Sequence, residues 1–91
     1  MNNKTKSSFY RRLYIAYMID CGYNTLPKIQ QQIDIPRRTA QDTINALIDL
    51  DIQCTFTGAS KNGCYHIESW GPFNRDWIVT NITHIKVVLG Y

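Results

Sequence analysis

A chain of 91 residues, 44% of them apolar, can fill one hydrophobic core but not two. Its longest apolar stretch, Leu13 to Ile19, has seven residues, far short of the ~20 needed for a membrane-spanning helix. The net charge of +3 is uneven: residues 1–38 carry seven bases and two acids (+5), and residues 39–91 carry three bases and five acids (−2), a basic end that suits a polyanion as well as plain solvation.

The polar N-terminus lacks a secretory apolar region, so a cytoplasmic location is expected, with residues 1–6 disordered. Ser7 or Ser8 can cap a first helix running from about Phe9 to Cys21, with Gly22 as its C′ residue. This helix is apolar nearly all the way round. One flank can pack on the core, and the other asks for a cover, which in so small a protein points to a second copy of the chain. Lys4, Lys6, Arg11 and Arg12 form the densest basic cluster. Because the segment is short, they read as a solvated terminus rather than as an arm that clamps DNA.

Residues 25–50 carry the most information. Thr25 is a good N-cap, and Pro27 sits in the first turn, where its missing N–H costs nothing. Ile29 and Ile33 share a face, Ile35 fills the corner, and Pro36 opens a second helix spanning 36–49. Ala40, Ile44, Leu47 and Ile48 are expected to form its apolar stripe. The opposite face is Arg38, Asp42, Asn45 and Asp49, flanked by Thr39 and Gln41. A short helix, a tight turn and a second helix that opens with basic and polar residues make a helix-turn-helix pattern.

Ile52, Cys54 and Phe56 alternate as a half-buried strand. A turn region follows over 58–63, ending in the hairpin signal Asn62 and Gly63. Cys64 to Ser69 alternates again, with Tyr65 and Ile67 inward, so 52–69 reads as a two-stranded wing. Trp70, Gly71, Pro72 and Phe73 break the strand. Asn74 then caps one last helix over 74–89, striped by Ile78, Ile82, Ile85 and Leu89.

The order of elements over the whole chain resembles the winged helix-turn-helix proteins. The segment from Trp70 to Asn74, followed by Asp76, Trp77 and an apolar helix, is similar to a small bacterial winged-helix family of uncharacterised function. The resemblance implies an α+β, mainly α fold in a single domain, 1–91, and a small bacterial or phage transcription regulator that binds double-stranded DNA. The second helix of the motif would enter the major groove. Arg38, Thr39, Gln41 and Asn45 are its candidate base readers: Arg suits guanine, Gln and Asn suit adenine, and the Thr methyl suits thymine. Arg37 and Lys28 are assigned to the DNA backbone, and Lys61 and Asn62 at the wing tip to phosphate or the minor groove, or equally to a plain solvated turn. Arg38 and Asp42, four apart, can equally form an ordinary exposed ion pair, and Asp42 and Asp49 repel phosphate.

The excess of apolar surface on the first and last helices predicts a homodimer through Tyr10, Tyr14, Met18, Trp77, Ile85, Val88 and Leu89. A rival reading from another class makes the fold a scaffold for protein–protein interaction, with the partner covering the first helix. A third uses the cysteines as a metal or redox sensor. Cys64 and His66 fall on the opposite strand face from Cys54, which does not close a tetrahedral metal site. No nucleophile–base–acid set, phosphate loop or cofactor motif is recognisable. Neither an enzyme nor a small-molecule ligand is therefore expected.

Overall fold

In a computed structural model describing residues 4–59 and 61–91, the chain forms helix α1 (Lys4–Asp20), α2 (Leu26–Gln32) and α3 (Arg37–Asn45). A 3₁₀ segment (Ala46–Leu50), strands β1 (Gln53–Thr57) and β2 (Cys64–Ser69), and helices α4 (Arg75–Thr80) and α5 (Ile82–Leu89) follow. The architecture is the expected one: helices around an antiparallel β-hairpin.

α1 is the central helix. Leu13, Tyr14, Ile15, Ala16, Met18 and Ile19 are all buried, because α3 packs on one side of α1, α5 on another, and β2 and α4 fill in between. A helix covered on several sides must be apolar on several sides, and α1's composition follows from that. Ile29, Leu47, Ile52, Ile78 and Ile85 close the same core from the other elements. α1 also starts earlier than its serines suggest. Lys4, Thr5 and Lys6, expected to be disordered, are helical, and Ser7 and Ser8 lie inside the helix rather than capping it. Residues 1–3, the rest of that expected segment, lie outside the described residues. At the other end Gly22 takes φ +104° while the Tyr23 amide donates to Met18 C=O at 2.9 Å, closing the helix as foreseen.

The motif itself is built by local chemistry. Thr25 Oγ1 accepts from the Lys28 amide at 3.2 Å, Pro27 lies in the first turn of α2, and the Ala40 amide donates to Pro36 C=O at 3.0 Å. The second helix, expected over 36–49, ends as α-helix at Asn45. Its continuation tightens to a 3₁₀ turn, which has three residues per turn and so brings Leu47 and Leu50 to the core side. Ile48, assigned to the apolar stripe, is turned outward and is 63% exposed.

In the hairpin, Thr57 pairs with Cys64 and Phe56 with Tyr65, with an irregularity between Gln53 and Cys54. Past that irregularity the pairing is regular, and the alternation of burial fails only towards the tip of the wing. Ile52 is buried and Cys54 half-buried, but Phe56, expected inward, is exposed and rests edge-on against Tyr65 and over Gly63. The last helix is two helices rather than one. It breaks at Asn81 (φ −103°, ψ 14°), whose side-chain amide donates to Trp77 C=O at 2.7 Å. Asn74 does cap α4, accepting from the Trp77 amide at 3.2 Å.

Candidate nucleic-acid interface

The solvent-facing side of α3 forms a polar ridge. Its core side holds Ala40, Thr43 and Ile44; its outer side carries Arg38, Asp42 and Asn45, all exposed. The Arg38 guanidinium lies 3.9 Å from the Asp42 carboxylate, and both side chains are largely in solvent, so the pair contributes little stability of its own. Gln41 is half-buried and fixed at both ends. Its Nε2 donates to Asn45 Oδ1 at 3.1 Å, and its Oε1 accepts from the Tyr65 hydroxyl at 3.3 Å. A reading side chain held in this way has fewer rotamers to lose on binding.

The tie from Tyr65 joins the wing to the ridge. The Tyr65 amide also donates to Asn24 C=O at 2.9 Å, so this residue anchors β2 to the start of α2 as well as to α3. Alternation alone marked Tyr65 as an inward residue and missed this polar role; its hydroxyl, opposite a glutamine, is the feature that carries it. Between α2, α3 and the wing lies a cleft of about 320 Å³ whose wall brings Arg37, Gln41 and Lys61 together. Lys28, exposed near the start of α2, donates from its ammonium to Asn24 Oδ1 at 3.4 Å. Asn62 is exposed, its amide donating to Ala59 C=O at 3.1 Å. Thr39 stands on the other flank of the ridge, half-buried, with its carbonyl accepting from the Thr43 hydroxyl at 2.7 Å. It faces α1, away from the wing.

That far flank holds two arginines of the N-terminal basic cluster, Arg11 and Arg12, built into the fold rather than left in a solvated terminus. Ser8, Arg11 and Arg12 of α1 line a cleft of about 240 Å³ together with Thr39, Asp42 and Thr43 of α3. The pattern was present in the residue order: Ser8, Arg12, Ile15 and Ile19 follow at spacings of three or four, so the stripe that is buried lower down surfaces as arginine above.

The outer wing surface holds one polar pair. His66 Nε2 lies 3.0 Å from Thr57 Oγ1 and 3.4 Å from Cys64 Sγ. Cys54 is half-buried, and burial pushes its thiol up to about 11. Among the described residues no three His, Cys, Asp or Glu side chains converge on a point. No helix among them is long and apolar enough to cross a membrane.

The chain matches the family described as "Winged helix-turn helix" over residues 4–89. It belongs to the winged helix-turn-helix family. This winged helix-turn-helix chain is also similar to the crystal structure of a DUF2131 family protein from Shewanella amazonensis SB2B. The TM-score is 0.91 at 32% identity, over 98% of this chain and 95% of that one. No functionally curated protein matches it. The winged helix-turn-helix architecture suggests DNA binding; α3 is the second helix of its motif and 53–69 its hairpin.

The expected dimer face fares differently from the ridge. Tyr14, Met18 and Ile85 are buried within the chain's own core, so they have no surface left to offer a second copy. Tyr10 is half-buried against Phe9 and the His84 ring. Leu89 and Val88 are half-buried, and Trp77 remains 47% exposed.

Proposed function

We propose that this chain is a sequence-specific double-stranded DNA-binding protein acting as a small transcription regulator, with α3 in the major groove. The observation that carries the reading is the ridge itself. Arg38 and Asn45 are exposed on it and have no part in the core, while Gln41 is held in place by Tyr65 of the wing. These side chains supply the donor and acceptor patterns that distinguish guanine and adenine in the major groove. Arg37, Lys28, Lys61 and Asn62 surround them as backbone contacts, and Thr39 reads from the flank. Asp42 lowers the charge of the ridge and weakens sequence-independent attraction to phosphate.

The chain acts as a homodimer. Tyr14, Met18 and Ile85 drop out of the contact, which rests instead on Trp77, Val88 and the neighbouring Val87, 72% exposed, with Tyr10 and Leu89 at its edge. A twofold pair would present two recognition helices about 34–36 Å apart to a palindromic site.

The test is selection from a random duplex pool across a salt series, comparing wild type with Arg38→Ala/Gln41→Ala. The expected result is enrichment of a motif with a twofold axis that the double variant loses, with a penalty of about 1–3 kcal/mol for each base contact removed. No enrichment and no binding at low salt would reject the reading and leave the fold as a protein-interaction scaffold.

A further inference from the structure

We propose that the cleft between α1 and α3 is a second phosphate-binding site, which holds the DNA backbone on the side of the recognition helix opposite the wing. The proposal rests on the DNA-binding reading above and adds residues that it does not use. The α3 ridge lies between two clefts. The wing-side cleft contains Arg37 and Lys61; the other contains Arg11 and Arg12 with the hydroxyl of Ser8. A helix in the major groove has a phosphate strand on either hand. A ridge with two cations on each flank matches that arrangement of charge.

Three features single out Arg11 and Arg12. They are fixed in direction, because Ile15 and Ile19 on the same stripe are buried and set the rotation of α1. Both are half-buried and both line the cleft, as long basic side chains do when the stem packs and the charged head stays at the surface. Among the described residues neither forms an ion pair; the pairs are Arg38 with Asp42 and Arg75 with Asp20. The one carboxylate in the cleft, Asp42, is already 3.9 Å from Arg38. Two arginines thus share the cleft with a single acid that a third arginine outside it already meets, which leaves a positive site for an anion. Guanidinium groups suit phosphate oxygens, and the Ser8 and Thr39 hydroxyls add neutral donors.

The experiment measures binding of a short random-sequence duplex, and of the motif enriched by wild type, across a fourfold range of salt. Wild type is compared with Arg11→Gln/Arg12→Gln and Arg11→Lys/Arg12→Lys. Loss of two phosphate contacts should lower the salt slope by about 1.8, making affinity about twelvefold less sensitive over that range. The loss should be the same for both duplexes, with the enriched motif unchanged, and the lysine pair should keep most of the slope. Ser8→Glu, which places a carboxylate in the cleft at a position that tolerates a helix former, should weaken binding in the same sequence-independent way. It carries the test if the glutamine pair unfolds. A slope and affinity unchanged in both the glutamine pair and Ser8→Glu would overturn the proposal while leaving recognition by α3 intact. A lysine pair as impaired as the glutamine pair would also overturn it. A wild-type chain that binds neither duplex would overturn both readings together.

Discussion

Gly71 is held at φ +60° with its α-carbon against the carbonyl of Asp51, itself left-handed at φ 62°. These residues meet at the open end of the hairpin, just before β1 and just after β2, where both strands leave the core. A β-carbon on Gly71 would overlap the Asp51 backbone, which cannot swing aside as a flexible side chain could. Gly71→Ala therefore combines the left-handed cost with a steric clash. It should destabilise the chain by at least about 2 kcal/mol. The thermal midpoint should fall by roughly 10 °C, measured by circular dichroism. Cys54 makes a second residue-scale case. Burial raises its thiol to about 11, whereas Cys21 is exposed. Since the thiolate is the reactive form, alkylation of the folded chain near pH 8 should label Cys21 well before Cys54, with Cys54 labelling accelerating as pH rises towards 11. Peptide mass mapping over time gives the order. Equal rates would mean that Cys54 is not sequestered.

At the scale of elements, what is legible in the residues is what local chemistry determines. Thr25 starts α2 and Asn74 starts α4 through side-chain oxygens that accept backbone N–H groups, while Pro27, Pro36 and Gly22 act through their own backbone geometry. The exits are less legible. The periodic stripe of Ala40, Ile44 and Leu47 continues naturally to Ile48, and nothing in that spacing announces the tightening to three residues per turn that exposes it. The break at Asn81 is hidden in the same way: Ile78, Ile82 and Ile85 keep helical spacing across it, and only the side-chain bond from Asn81 to Trp77 marks the change. Contacts between elements are the least legible of all. The tie from Tyr65 to Gln41 crosses 24 positions and decides how the wing sits beside the ridge. Tyr65→Phe keeps the ring against Phe56 and removes only the hydroxyl. Stability should change by no more than about 1 kcal/mol. Affinity for the selected duplex should fall several-fold as Gln41 and the wing lose their mutual restraint. A variant with wild-type affinity would show that the tie has no part in recognition.

For the whole molecule, the two apolar helices have different explanations. α1 is apolar because it is largely surrounded by its own chain; once α3, α5, β2 and α4 are in place, its surplus is reduced to half-buried Phe9, Tyr10 and Tyr17. The excess on α4 and α5 survives folding, in Trp77 at 47% and Val87 at 72% exposure. Trp77 is the larger surface and borders a shallow apolar depression formed with Phe9, Tyr10 and Phe73. Removing surface of this kind from water is what drives stable homodimers, and large aromatic side chains at the centre of an interface contribute most. If α4 and α5 pair with a second copy, pairing stabilises the folded chain alone, and stability must depend on concentration. Each tenfold rise in protein then adds about 1.4 kcal/mol per dimer, equivalent to roughly 3–6 °C in the thermal midpoint for an assembly of this size. Trp77→Ala should abolish that dependence and give a monomer in light scattering. At low concentration, where wild type is monomeric too, its midpoint should fall only by the cost of the half of the indole that the chain itself covers, about 1–2 kcal/mol, because its backbone capping role is retained. A wild-type midpoint independent of concentration would remove the dimer. DNA reading would then rest on a single ridge, with half-site affinity and no palindrome.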